Sequence, residues 1–250
     1  MALLVLALML APADACPAAA DAFRRGDHEA ALALLGPAPA RNSFCSKLAG
    51  LIAAARGDYR AALNPLETSC RMNRNEPDAC YYYARALYAL DRFEDSLAAL
   101  AAPAASKSWQ LLTARGQALD ALGRTEAEPA LKRALAERQS DPTPVSEPDP
   151  LLALASFLYR QGRAAEALSL LRSAPAAYQP LASYHYQTGR AQAQAQHWAE
   201  AAESLKNAVS LAPDHTEAHG LLSRVYYRLN EPELAAAHAR RATQGSPISR

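Results

Sequence analysis

Lysine is scarce in this 250-residue chain, occurring only at Lys47, Lys107, Lys132 and Lys206. The formal net charge is +1, so the basic excess that marks a general nucleic-acid surface is missing. β-Branched residues are sparse, which weighs against sheets. The longest apolar run near the N-terminus, Ala2 to Leu10, is far short of the roughly 20 residues a membrane-spanning helix needs. There is no G-x-S-x-G elbow, no P-loop and no glycine-rich dinucleotide turn. The cysteines form no C-x2-C pair with companion histidines, so a zinc site is not expected. Together these absences leave catalysis, metals and cofactors without a visible place, and the expectation is a protein that binds rather than reacts.

What is abundant is alanine, followed by leucine, and half of the chain is hydrophobic. Both residues favour helices, and alanine lets helices approach closely. The excess of arginine over lysine, with the alanine content, fits a GC-rich genome. The apolar run at Ala2–Leu10 has the length of a signal-peptide core. The small residues Ala11-Pro12-Ala13-Asp14-Ala15 come after it and offer an A-x-A cleavage site. Residues 1–15 therefore read as a signal peptide of an exported, periplasmic or secreted protein, although no lysine or arginine precedes the run. A mature chain beginning at Cys16 also raises a lipid anchor on that cysteine, but Ala13-Asp14-Ala15 lacks the leucine usual three residues before an acylated cysteine. A cytoplasmic protein with a buried first helix is the remaining alternative.

The four cysteines, Cys16, Cys45, Cys70 and Cys80, all lie in the first third. An even number in an exported chain reads as disulfides, and four cysteines allow three pairings. Cys70 would end one helix and Cys80 would begin the next antiparallel one, so these two should be close, which leaves Cys16 with Cys45. Buried free thiols filling small core positions are the alternative.

A short turn recurs along the chain, each time ahead of an Ala/Leu-rich helix. It is seen at Gly26-Asp27-His28, Gly57-Asp58-Tyr59, Asp91-Arg92-Phe93, Gly123-Arg124-Thr125, Gly162-Arg163-Ala164, Gln196-His197-Trp198 and Asn230-Glu231-Pro232. Successive turns are 31, 34, 32, 39, 34 and 34 residues apart, and a 34-residue period is that of paired-helix repeats. The residues around the turns resemble the tetratricopeptide repeat pattern, W-x2-L-G-x2-Y, then A-x3-F, then P. Examples are His185-x2-Thr188-Gly189-x2-Gln192 with Ala201-x3-Leu205 and Pro213, and His219-x2-Leu222-Ser223-x2-Tyr226 with Ala235-x3-Ala239. Ser46-x2-Ala49-Gly50 with Ala62-x3-Leu66 matches it too, as does Leu151-x2-Leu154-Ala155 with Ala167-x3-Leu171. The unit around Gly116 and Gly123 is one residue out of register in its second helix.

The resemblance implies an all-α fold, a right-handed α-solenoid of about seven antiparallel helix pairs. Residues 16–137 would hold about four pairs, the first truncated, and residues 150–250 about three. The 39-residue interval contains four prolines within Asp141–Pro150, which cannot continue a helix, so residues 138–149 are expected to form a proline-rich loop or linker.

In this family the first helix of each pair lines the inner, ligand-binding face. Helical spacing then puts Tyr81, Arg85, Tyr88, Gln117, Tyr159, Arg160, Tyr186, Arg190, Arg224, Tyr227 and Arg228 on that face, with Thr113, Leu152, Ser156 and Glu217 beside them. Tyrosine and arginine are common at interaction hot spots, and arginine forks onto carboxylates. A partner protein or peptide with acidic or C-terminal carboxylate groups is therefore expected in the groove. Packed tyrosines and solvated arginines are the plain alternative. The lysine-and-asparagine clamp of chaperone-binding family members is not reproduced. His215-Thr216-Glu217-Ala218-His219 misplaces the glutamate of a zinc-peptidase motif, and His219, like His185, takes a bulky core position. Glu126 and Glu128 read as an ordinary solvated helix face, and Trp109 and Trp198 as packing residues. The whole reads as a non-catalytic interaction scaffold of the bacterial cell envelope.

Overall fold

Ala/Leu-rich segments with apolar residues three and four apart form helices that bury one stripe, and the computed structural model has fourteen of them among the described residues. It describes residues 15–36, 42–73, 77–101, 108–141, 143–145 and 149–244. Among the described residues there is no strand. The chain divides into two compact units, with the boundary between Thr125 and Glu126.

The first unit holds α1 (Ala15–Arg24), α2 (His28–Leu35), α3 (Ser43–Ala55), α4 (Tyr59–Met72), α5 (Pro77–Ala89), α6 (Phe93–Ala99) and α7 (Trp109–Ala121). Its helices pair in an antiparallel sense. Ser43 at the start of α3 hydrogen-bonds Ser69 near the end of α4, while Gly50 in mid-helix approaches Ala62 and Leu66 so closely that a Cβ would collide with the leucine. Two disulfides join neighbouring helices: Cys16 of α1 with Cys45 of α3, Cα atoms 5.5 Å apart, and Cys70 of α4 with Cys80 of α5, 4.6 Å apart. This is the pairing that the helix ends suggested. The first fourteen residues, including most of the expected signal peptide, lie outside the described residues; Ala15 already opens α1.

The second unit holds α8 (Ala127–Gln139), α9 (Pro150–Arg160), α10 (Ala164–Arg172), α11 (Ala182–Gln194), α12 (Trp198–Leu211), α13 (Thr216–Arg228) and α14 (Pro232–Gln244), with a short 3-10 turn at Ala176–Tyr178. Gly189 of α11 repeats the close approach of Gly50: an added Cβ would sit 2.6 Å from Leu205 of α12. In α13 the same position is Ser223, whose hydroxyl donates to the carbonyl of Ala235 in α14 at 2.8 Å.

Seven turns between helices share one construction. Each has a residue in the left-handed region, at Gly26, Gly57, Asp91, Gly123, Gly162, Gln196 and Asn230. The next amide donates back to the carbonyl five residues earlier, as in Asp27 to Ala22, Arg163 to Leu158 and Glu231 to Tyr226, at 2.9–3.0 Å. That is the Schellman closure of a helix C-terminus. Where aspartate comes after the glycine, its carboxylate also caps the next helix, Asp27 accepting from the Ala30 amide and Asp58 from the Ala61 amide.

In the proline-rich stretch, α8 continues to Gln139, two residues into the expected loop. The segment beyond it is tied at several points. Arg138, buried, donates from Nη1 to the carbonyl of Asp141 and from Nη2 to that of Thr143. Its Nε lies 3.5 Å from Oδ2 of Asp149, which is 1% exposed. The other oxygen of Asp149 accepts from the Leu151 amide, capping α9, and from the Tyr178 hydroxyl, both at 2.9 Å. Burial and this carboxylate hold the Tyr178 phenol well above its ordinary range. Glu128 is likewise more than a solvated surface group. It accepts from Arg163, the residue before α10, at 2.7 Å and pairs with Lys132, which depresses its carboxyl to about 2.

Candidate functional site

Three first helices of the second unit, α9, α11 and α13, carry polar and aromatic residues spaced three or four apart, which places them along one face of each helix. On α11 these are Tyr186, Gln187 and Arg190. The Arg190 guanidinium lies 4.0 Å from the centre of the Tyr159 ring and 5.3 Å from that of Tyr186. Its Nη1 donates to Oε1 of Gln187 at 3.0 Å and reaches the Ser156 hydroxyl at 3.4 Å. Ser156 also accepts from Arg160, one turn on in α9. The Tyr186 ring packs tilted against His215 at 4.6 Å, and His215 pairs with Glu217 at 3.1 Å. So Tyr159, Arg160, Tyr186 and Arg190 come together around Ser156.

Arg190 is held between two aromatic faces, an arrangement that lends it cation–π attraction and a fixed orientation. It has no carboxylate partner among the described residues, whereas Glu217 is engaged by His215 and Thr216. Burial pushes the Tyr186 phenol upward against the opposing influence of Arg190, so it stays a neutral hydroxyl at physiological pH. An oriented guanidinium flanked by phenol rings suits a carboxylate.

Other expected residues are placed differently. In the first unit, Tyr81 is 8% exposed and packs with Ala84, Leu100, Leu111 and Ala114. It serves the core, while its hydroxyl accepts from Arg85 at 3.4 Å and the Arg85 guanidinium stands 5.8 Å over its ring. Tyr88 is exposed and packs edge-on against Phe93 of α6 at 5.1 Å, while Gln117 is half-buried on α7. Thr113 and Leu152 are buried. Thr113 spends its hydroxyl on the Trp109 carbonyl. Arg224, Tyr227 and Arg228 line an open groove of about 630 Å3 with Ala235, Ala236 and Ala239 of α14. Arg228 also stands 5.6 Å over the Trp198 ring.

Trp109 is buried and Trp198 packs beside a core cluster, as packing residues should. His219 is 4% exposed; its Nε2 contacts the Pro213 carbonyl at 2.9 Å and its Nδ1 contacts Nδ1 of His238 at 2.8 Å. Among the described residues no group of three or more potential metal ligands occurs, and no helix is long and apolar enough to cross a membrane. Gln187 and the ring of His215 went unrecognised in the sequence. Gln187 stands three residues before Arg190, a spacing that could have revealed it. The partnership of Trp198 with Arg228, thirty residues apart, has no local signal.

Known proteins share this architecture. A family model described as tetratricopeptide repeat matches residues 47–108, 113–182 and 186–247. No curated protein matches. Among solved structures, the APC/C hetero-tetramer Cut9–Hcn1 is similar over 94% of this chain and 44% of its own, with 16% identity and a TM-score of 0.69. The human IFIT1 dimer with PPP-AAAA is similar over 92% of this chain and 60% of its own, at 19% identity and a TM-score of 0.67. MamA AMB-1 is similar over 68% of this chain and 96% of its own, at 19% identity and a TM-score of 0.52. The chain thus spans about half the length of the first of these structures. At such identities the likeness is one of fold.

Proposed function

The chain belongs to the tetratricopeptide repeat family, and from that membership we propose that it is a non-catalytic scaffold holding a protein or peptide partner. The partner lies along the inner face of the second unit and presents a side-chain or C-terminal carboxylate to Arg190. The carrying observation is the stack of Tyr159, Arg190 and Tyr186, in which a cation is oriented by two rings and lacks an acidic partner of its own among the described residues. Human IFIT1 is seen with PPP-AAAA; for this chain a net charge of +1 favours a peptide over a nucleic acid.

We place the protein in the bacterial cell envelope, exported by a signal peptide over residues 1–15 and active in the periplasm or outside the cell. The two disulfides support an oxidising compartment. Cys16 is taken up by one of them, which favours a free N-terminus over a lipid anchor there. The proline-rich stretch near 138–149 acts as a tied surface excursion between repeats, since Arg138 and Asp149 fasten both its ends.

Cross-linking capture from cell envelopes tests the reading, comparing wild type with Arg190→Ala and Tyr159→Ala after matching their helicity and melting. A partner captured by wild type should be lost from both variants, at a cost of about 2 kcal/mol in affinity for such a hot-spot residue. Equal capture by all three proteins would remove the inner face from consideration.

A further inference from the structure

The groove between α13 and α14 has a counterpart one repeat earlier, where the same chain shows what such a groove receives. Between α11 and α12 the corresponding floor is Ala193, Ala201, Ala202 and Leu205, and α13 lies on it with Leu221, Leu222 and Val225 in one buried cluster. At the 34-residue repeat offset these floor positions become Tyr227, Ala235, Ala236 and Ala239. Upstream all four are buried. Downstream only Ala235 is, while Ala236 and Ala239 are not, and Tyr227 is 76% exposed. The terminal groove therefore has the form of a helix seat, and nothing among the described residues covers it. The exchange of Leu205 for Ala239 also removes bulk from its floor, leaving room for a side chain from outside.

The rim of the groove is cationic. Gln194 upstream becomes Arg228 here, and Arg190 becomes Arg224. The lining of the groove contains both arginines and no aspartate or glutamate. Neither arginine makes an ion pair among the described residues. Arg240, one helical turn beyond Ala236, adds a further cation on that side of α14. A small-residue floor with an exposed tyrosine favours apolar contact, and a cationic rim selects negative charge.

We propose that this end groove docks an amphipathic helix of a partner protein, apolar along one stripe and acidic along its edges, laid in the place that α13 takes in the groove before it. This site uses none of Tyr159, Tyr186 and Arg190, although Arg224 on its rim also acts electrostatically on the Tyr186 phenol.

The test uses the full chain and two fluorescent, covalently stapled helical peptides. Both carry the apolar spacing of Ala218, Leu221, Leu222 and Val225; one has glutamates at the flanking positions and its twin has lysines. Anisotropy titration should show saturable binding of the glutamate peptide, about tenfold or more tighter than its twin. Arg224→Glu should reverse or erase that preference. Ala236→Arg, which fills the groove at an accessible position, should abolish binding, and Arg190→Ala should leave it unchanged. Equal binding of the two peptides, no saturation at millimolar concentration, or full binding by the Ala236→Arg protein overturns the proposal. So does a self-associated wild type that sedimentation shows dissociating in the Ala236→Arg variant, because the occupant is then a second copy of this chain. Unchanged peptide binding in the Arg190→Ala protein separates this outcome from that of the inner-face reading.

Discussion

Gln196 has a φ of 64° at a turn position where Gly26, Gly57, Gly123 and Gly162 take the same left-handed conformation. A side chain there brings Cβ against the next carbonyl, at a cost of about 1–2 kcal/mol, and only glycine, asparagine and aspartate visit the region readily. Asp91 and Asn230 fill two of the other turns; glutamine has no such advantage. Gln196→Gly should therefore stabilise the second unit, by about 1 kcal/mol once the greater freedom of glycine in the unfolded chain is set against the relief. A higher denaturation midpoint with unchanged slope would bear this out, and an unchanged midpoint would mean the turn is not strained. The turn was legible in the sequence through its spacing, even where glycine is absent. The burial of Tyr81 and Thr113 was not, because the apolar stripe of a repeat helix is wide and residues at its margin look the same in sequence whether a neighbouring helix covers them or not.

Between elements, the contact of α13 with α14 depends on two imidazoles. His219 meets the Pro213 carbonyl through Nε2, so its Nδ1 faces Nδ1 of His238 as acceptor when His238 holds the proton there. Both rings cannot donate across that contact. Burial first, then His219 and Arg241, depress the His238 pKa below its ordinary value, and the Tyr226 ring stacks on His238 with centroids 5.6 Å apart. A histidine with a lowered folded pKa contributes stability that is full above its unfolded pKa of about 6.5 and is lost as pH falls through the folded value. Amide exchange in α14, corrected for its intrinsic pH dependence, should accordingly gain in relative rate between about pH 7.5 and about pH 5, more in wild type than in His238→Gln. An equal change in both proteins would assign the effect to other groups. From sequence, His219 was recognisable as a core residue by its repeat position, but its pairing with His238 depends on helix packing across nineteen residues. The proline-rich stretch is a similar case: its prolines announce a loop, while its fastening by Arg138 and Asp149 emerges only when α8 and α9 are brought together.

At the scale of the molecule, covalent reinforcement is uneven. Both disulfides lie in the first unit. Closing loops with separations of 29 and 10 residues stabilises by about 3 kcal/mol each in the chain-entropy view. Reduction should thus lower the protection of amides in α3 and α5 while leaving α11 and α13 as they were, read by hydrogen exchange with and without reductant. Equal loss in both units would mean that they fold as one cooperative block. Repeat stacks gain stability from neighbour to neighbour, so the seven-turn pattern predicted the helices well but held no sign of a division near Thr125. Viewed mechanically, the same two bridges make the chain less extensible. A pull on its two ends passes through Cys16–Cys45 and Cys70–Cys80 without opening the loops behind them, withholding roughly 130 Å of contour length at about 3.5 Å per residue. A protein held between two moving partners in an oxidising compartment would give out slack only from the stretches outside these two loops, and the length held within them would be released only by a thiol.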